Sequence, residues 1–203
     1  MGELDDYEVV HSESLVDGVI VRLRRDTVRM ADGSTARREI VQHVGAVAVV
    51  ALDDEGRVVL VNQYRHAVHA RLDELPAGLL DVRGEDPLDA AKRELAEEAQ
   101  LRADEWHVLL DLHTSPGFST ESIRVYLARG LHAARAQDFV AAHEEASMTV
   151  EREPLAEAVR RALGGGITNA TSVAGLLAAV HGRATDWRDL RPADAPWPSR
   201  RQD

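Results

Sequence analysis

The chain has 203 residues, 44% apolar and 29% charged, with no cysteine and a formal net charge of -11. That length suits one globular domain, or one domain with an extension, and the absence of thiols excludes a disulfide framework, a thiolate zinc site, an iron–sulfur cluster and a Cys nucleophile. The acidic balance and the few aromatic residues (two Phe, three Tyr, three Trp) argue against a nucleic-acid binder, which needs a basic face or stacking rings.

The first ten residues carry Glu3, Asp5, Asp6 and Glu8 instead of the basic start and apolar run of a secretory signal. No apolar stretch nears the ~20 residues of a membrane span. The expectation is a cytoplasmic protein with neither nucleic acid nor membrane as a partner. From Tyr7 to about Val41, short β-like runs alternate with turns. Val19–Val28 reads as a strand, Ala31–Ser34 as a turn and Thr35–Gln42 as the next strand. Val44–Leu52 is a near-continuous apolar run, as expected of a strand buried on both faces. Asp53–Gly56 turns the chain into a strand at Arg57–Tyr64, and Leu72–Leu80 holds a Leu-Pro-Ala-Gly kink.

The period then changes. Asp86-Pro87 reads as an N-cap followed by proline in the first turn, and Leu88, Ala91, Leu95 and Ala99 recur at helical spacing, predicting a helix over Pro87–Gln100. Trp106–Leu112 and Ser122–Gly130 are predicted strands around a Ser115–Ser119 loop. His132–Glu145 fits no single element, and Met148–Glu153 reads as a last strand. Pro154–Leu163 and Thr168–Gly182 read as helices separated by three glycines, and Asp186–Asp203 as an irregular tail.

The chemistry concentrates in Gly78–Leu101. On the predicted helix, Glu94, Glu97 and Glu98 stand at i, i+3 and i+4, so three carboxylates are expected on one patch. Arg93 stands four residues before Glu97 and can pair with it. Carboxylate oxygens suit Mg²⁺ or Mn²⁺ rather than zinc. Glu97-Glu98 alone would ordinarily mean a solvated acidic face. The Gly-rich loop directly before the helix, and further acids at Glu74, Glu85, Glu144 and Glu145, favour a site.

This stretch resembles the box of the Nudix hydrolases: Gly, five residues, Glu, seven residues, Arg-Glu, an aliphatic, any residue, Glu-Glu, any residue, Gly, an aliphatic. It maps onto Gly78, Glu85, Arg93-Glu94-Leu95-Ala96-Glu97-Glu98 and Leu101. Two positions depart from it. Six residues separate Gly78 from Glu85, and Gln100 replaces the final Gly, which in the family closes the helix in a left-handed conformation. Gln63-Tyr64-Arg65, Glu74–Gly78 and Ser115–Ser119 look like the ADP-ribose pyrophosphatase branch, as does Pro116, sixteen residues after Gln100. Asp73 is a further departure, since a large residue such as Trp commonly precedes Glu-Leu-Pro-Ala-Gly there.

The resemblance implies an α+β fold, an α/β/α sandwich of Nudix type with an N-terminal antiparallel β extension. It divides the chain into a β-rich dimerisation segment (1–42), a hydrolase domain (43–182) and a tail (183–203). It further implies hydrolysis of the pyrophosphate bond of ADP-ribose to AMP and ribose 5-phosphate. Two or three Mg²⁺ or Mn²⁺ ions would be held by Glu94, Glu97, Glu98 and the Ala77 carbonyl. Arg93 would orient the carboxylates, and Glu85 would tether the loop or touch a metal indirectly. Glu144, with Glu145 beside it, matches the branch's acidic loop that supplies the general base. Arg65, Glu74 and Gly117 are the substrate-binding candidates, although Arg65 equally suits a surface ion pair. His66, His69 and His113 have no metal spacing. The partner expected is a second copy of the chain in a domain-exchanged homodimer. The alternatives are another nucleoside diphosphate linked to a second group, such as an ADP-sugar or a dinucleotide, or a non-catalytic ADP-ribose sensor.

Overall fold

The computed structural model describes residues 7–134 and 147–200. Its centre is the apolar run, which forms β4 (Ala46–Ala51), with every residue buried. Strand alternation divides its side chains between two layers. Ala46, Ala48, Val50 and Leu52 pack with Leu75, Val125, Leu155 and Leu176, whereas Val47, Val49 and Ala51 pack with Ala90, Ala91 and Leu95. The first set lies against α2 (Leu155–Leu163) and α3 (Ala170–Ala184), the second against α1 (Pro87–Ala99). This is the expected α+β sandwich of helix, sheet and helix.

β4 runs parallel to β9 (Ser122–Ala133) and antiparallel to β7 (Ala77–Leu79), and β8 (Leu101–His113) pairs with β9. A second sheet has the order β10-β5-β6, from β10 (Thr149–Pro154), β5 (Arg57–Arg65) and β6 (Ala70–Glu74). The kink at Leu75-Pro76 is the crossing point: β6 pairs with β5 in one sheet and β7 with β4 in the other. Proline suits this break because it has no N–H to give a ladder.

The N-terminal segment is a separate antiparallel meander of β1 (Val9–Asp17), β2 (Val21–Arg29) and β3 (Thr35–His43). β2 starts two residues later than the sequence predicts, because Gly18–Ile20 are spent on a turn closed by Gly18 N–H donating to Val21 O at 2.9 Å. The meander is fastened to the sandwich through the 115–120 loop: Val41 N donates to Phe118 O and Thr120 N to Val41 O.

α1 begins as predicted, with the Asp86 side chain accepting from Leu88 N at 2.8 Å. It ends in a left-handed residue, as a box glycine would, but that residue is Gln100, with φ 54°. The longer side chain therefore leaves the helix exit unchanged and stores strain of about 1 kcal/mol. Gln100→Gly is expected to stabilise the protein by up to about 1 kcal/mol in urea unfolding. An unchanged or lower midpoint would mean that the side chain contributes contacts that offset the strain.

The tail, expected to be irregular, is docked. Arg191–Pro192 form a two-residue strand, β11, against Val108 and His107 of β8. Arg124, 3% exposed, pairs with Asp111 at 2.8 Å and donates to the carbonyls of Ala195 and Pro196 at 2.7 and 3.0 Å. The Trp197 ring lies over the same guanidinium, 4.7 Å from its carbon. The bonds from Arg124 to Ala195 and Pro196 join residues more than 70 apart, a distance at which local sequence patterning carries no signal.

Candidate functional site

The site starts from a close approach. A Cβ built on Gly78 would stand 1.9 Å from Cδ of Glu94, so only glycine lets the Glu94 carboxylate lie against β7. One residue earlier, the Ala77 backbone N–H donates to Glu98 Oε2 at 2.9 Å. Glu98 is 8% exposed, and this charge-assisted bond ties α1 to the strand.

Arg93 gathers the other acids. Its Nε and Nη2 donate to the two oxygens of Glu85 at 2.9 and 3.0 Å, and its Nη1 to Glu94 Oε1 at 2.6 Å and Glu97 Oε2 at 3.0 Å. The pairing with Glu97 is the one the four-residue spacing predicts. The hydrogen bond to Glu85, opposed by burial and reinforced by the charge of Glu94, raises the already high pKa of Arg93, so it is a permanent cation. The loop glutamate, eight residues upstream, is thereby held to the helix.

The three helix carboxylates do not form the single patch that spacing alone suggests. Glu94 and Glu97 share Arg93, whereas Glu98 turns to the strand. Among the described residues, no three acidic or imidazole side chains are assembled as a cation cage. The donor set still fits a hard divalent cation. It offers only oxygen: three carboxylates (Glu85, Glu94, Glu97) share the Arg93 guanidinium, and a fourth, Glu98, stands on the Ala77 amide. The space over Gly78 is also kept for a carboxylate. A cation there competes with Arg93 for Glu94 and Glu97.

Arg65 and Glu74 form a second cluster. Glu74, its side chain 3% exposed, accepts from Arg65 Nε and Nη2 at 3.0 and 2.6 Å, and from Asn169 Nδ2 at 3.0 Å. Arg65 is thus an ion-pair partner, and at 43% exposure it still presents its side chain to solvent. Asp73 bonds Asn62 Nδ2 at 2.7 Å and Arg161 on α2, so a residue that departs from the resemblance makes a link between β6 and a helix.

Gly117 lies in a turn whose neighbour Phe118 is bonded to β3, and a Cβ on it would meet nothing within 4 Å. The structure brings it into no hydrogen bond with the box. His66 and His69 meet each other, their ring centroids 4.9 Å apart, beside the Tyr64 hydroxyl. Glu144 and Glu145 lie outside the described residues. Asn169 and Ser172 escaped the sequence reading. Their Asn-x-x-Ser helix start was legible, but its reach to Glu74 and Leu75 was not.

The NUDIX domain family matches residues 42–165 of the chain. An ADP-ribose pyrophosphatase of Mycobacterium tuberculosis is 53% identical over 192 residues, which cover 95% of this chain and 91% of that protein. An ADP-ribose pyrophosphatase of Bacillus subtilis is 38% identical over 126 residues, covering 62% and 68%. A methanol dehydrogenase activator of Bacillus methanolicus is 42% identical over 131 residues, covering 64% and 70%. Among solved structures, the crystal structure of an ADP compounds hydrolase superposes with a TM-score of 0.76 at 18% identity, covering 92% of this chain and 100% of that one.

Proposed function

This chain belongs to the Nudix family, and from that premise we propose that it hydrolyses the pyrophosphate bond of ADP-ribose, giving AMP and ribose 5-phosphate. The observation that carries the reading is the arrangement of the box: Glu94 over Gly78, Glu98 on the Ala77 amide, and Arg93 joining Glu85 to the helix. The M. tuberculosis relative, matched over nearly the whole chain, supports the substrate.

Glu94, Glu98 and the Ala77 carbonyl, with Glu97 in support, are the residues assigned to hold Mg²⁺ or Mn²⁺, two or three ions per site. Such ions, when bound, clamp phosphate oxygens and lower the pKa of a water. The ionic excess matters because a chain of net charge -11 repels a pyrophosphate, and divalent cations reverse that sign locally. Arg93 keeps the carboxylates in register by its four hydrogen bonds. Arg65 is assigned to a phosphate oxygen, because a guanidinium offers two parallel N–H donors, and Glu74 sets the plane of that guanidinium. Gly117 is assigned to the substrate as well. Glu144, with Glu145 next to it, is assigned the proton of the attacking water on the resemblance alone. Water oxygen bonds to phosphorus, the bridging P–O bond breaks, and the two phosphate monoesters leave.

The test is a ranking of kcat/KM for ADP-ribose, ADP-glucose, NADH and diadenosine polyphosphates. ADP-ribose first supports the reading; another compound first reassigns the substrate; binding without turnover makes the protein a sensor.

The proposal includes a domain-exchanged homodimer. The meander exposes Val9, Val16, Val19 and Ile20 at 50% or more, apolar side chains that a second copy would cover. Light scattering at micromolar concentration is expected to give twice the chain mass, and a monomeric mass would contradict it. No helix among the described residues is long and apolar enough to cross a membrane. The proposed place of action is the cytoplasm.

A further inference from the structure

Between β6 and β7 the backbone leaves one sheet before it joins the other, so Leu75 is without a ladder partner for its N–H. That N–H donates to the Ser172 hydroxyl at 2.9 Å. Ser172 is 1% exposed and in turn donates its hydroxyl proton to Asn169 Oδ1 at 3.1 Å, while Asn169 Oδ1 also caps the helix by accepting from Ser172 N at 2.9 Å. The other end of the same amide, Asn169 Nδ2, donates to Glu74 Oε1 at 3.0 Å. One turn further along α3, a Cβ on Gly175 would stand 2.7 Å from Leu75 Cδ1, so the helix lies directly on this segment. Beyond Leu75, Pro76 O accepts from Val49 N at 2.8 Å and Ala77 N reaches Glu98.

We propose that Asn169 and Ser172 are positioning residues for the substrate site. The start of α3 fixes Glu74 at Oε1, which Arg65 Nε also reaches at 3.3 Å, and leaves Oε2 to the two shorter bonds that orient Arg65, and it holds the backbone that runs on into Ala77 and Gly78. The inference rests on the assignment of Arg65 to substrate phosphate. Asn169 does two jobs with two ends of one amide, and substitutions separate them. Asn169→Ser and Asn169→Asp keep a good helix cap but remove the donor to Glu74, whereas Asn169→Ala removes both.

The experiment measures, for the full chain, kcat and KM for ADP-ribose with Mg²⁺, the ADP-ribose Kd by calorimetry in EDTA, and the melting temperature. In Asn169→Ser and Asn169→Asp, KM and Kd are expected to rise about tenfold with kcat nearly unchanged; the melting temperature of Asn169→Ser stays above that of Asn169→Ala, and that of Asn169→Asp falls because its second oxygen meets the buried Glu74 Oε1. Native KM and Kd in both, with a lowered melting temperature in Asn169→Ala alone, would reduce Asn169 to a helix cap and overturn the proposal. If the unmutated protein binds ADP-ribose without cleaving it, the proposed function fails and the Kd values still decide this inference. A parent that neither cleaves nor binds it overturns both.

Discussion

Glu98→Gln is expected to lower kcat for ADP-ribose by about 10³-fold, or about 4 kcal/mol of barrier, while the protein stays folded. The substitution is isosteric, and the amide carbonyl that replaces a carboxylate oxygen still accepts from the Ala77 N–H, now 2.9 Å from Glu98. The packing of α1 against β4 and β7 therefore has no reason to change. What is lost is one negative charge at a buried oxygen next to the Ala77 backbone, where the proposed divalent cation would have to be balanced. Removing one preorganised charge from a reacting centre commonly lowers turnover by about 10²–10³, and a weaker cation adds to that. Steady-state kinetics and thermal unfolding, measured together, check the expectation. Native turnover would remove Glu98 from the chemistry. Loss of the folded state would make it a structural residue whose charge is needed by the Ala77 amide.

Gly78→Ala is expected to lower kcat by about 10²-fold and to weaken Mn²⁺ binding, with no carboxylate removed. The added methyl carbon would stand 1.9 Å from Glu94 Cδ and 2.0 Å from Oε1, less than any real contact, so Glu94 or β7 has to move. Glu94 is the softer of the two, being a side chain, whereas β7 is paired with β4 at Ala46↔Leu79 and Ala48↔Ala77. The carboxylate therefore shifts, and with it the hydrogen bond from Arg93 Nη1. A displacement of about 1 Å at a positioned group costs about that factor in rate, and overpacking destabilises by about 1–3 kcal/mol. Electron paramagnetic resonance of Mn²⁺ and kcat, measured on the same variant, separate displacement of Glu94 from loss of fold. Parent-like values of both would show that the approach of Glu94 to Gly78 has no part in function.

Much of this was legible because it is local. β4 was readable as an unbroken apolar run, and the cap and helix of α1 from Asp86-Pro87 and the apolar period. Arg93 with Glu97 follows from helix geometry alone. The exit at Gln100 was left open by the sequence, which puts a side chain where the box has glycine; the structure keeps the left-handed conformation there. The parting of Glu98 from Glu94 and Glu97 was not legible. Helical spacing gives the face, whereas the partner of each carboxylate is decided by what lies opposite: an arginine for two of them and a strand amide for the third. The Asn169–Glu74 bond and the docking of Trp197 on Arg124 join segments 95 and about 70 residues apart, so composition and periodicity are silent about them. The role of Asp73 was hidden for the same reason, because its partner Arg161 sits 88 residues later on α2.

The measurement that tests the account most directly is release of AMP and ribose 5-phosphate from ADP-ribose by the purified chain, with Mg²⁺ and with EDTA. The account predicts equimolar appearance of both products with Mg²⁺ and none with EDTA. Cleavage that persists in EDTA, or folded protein that leaves ADP-ribose intact with Mg²⁺, would contradict it.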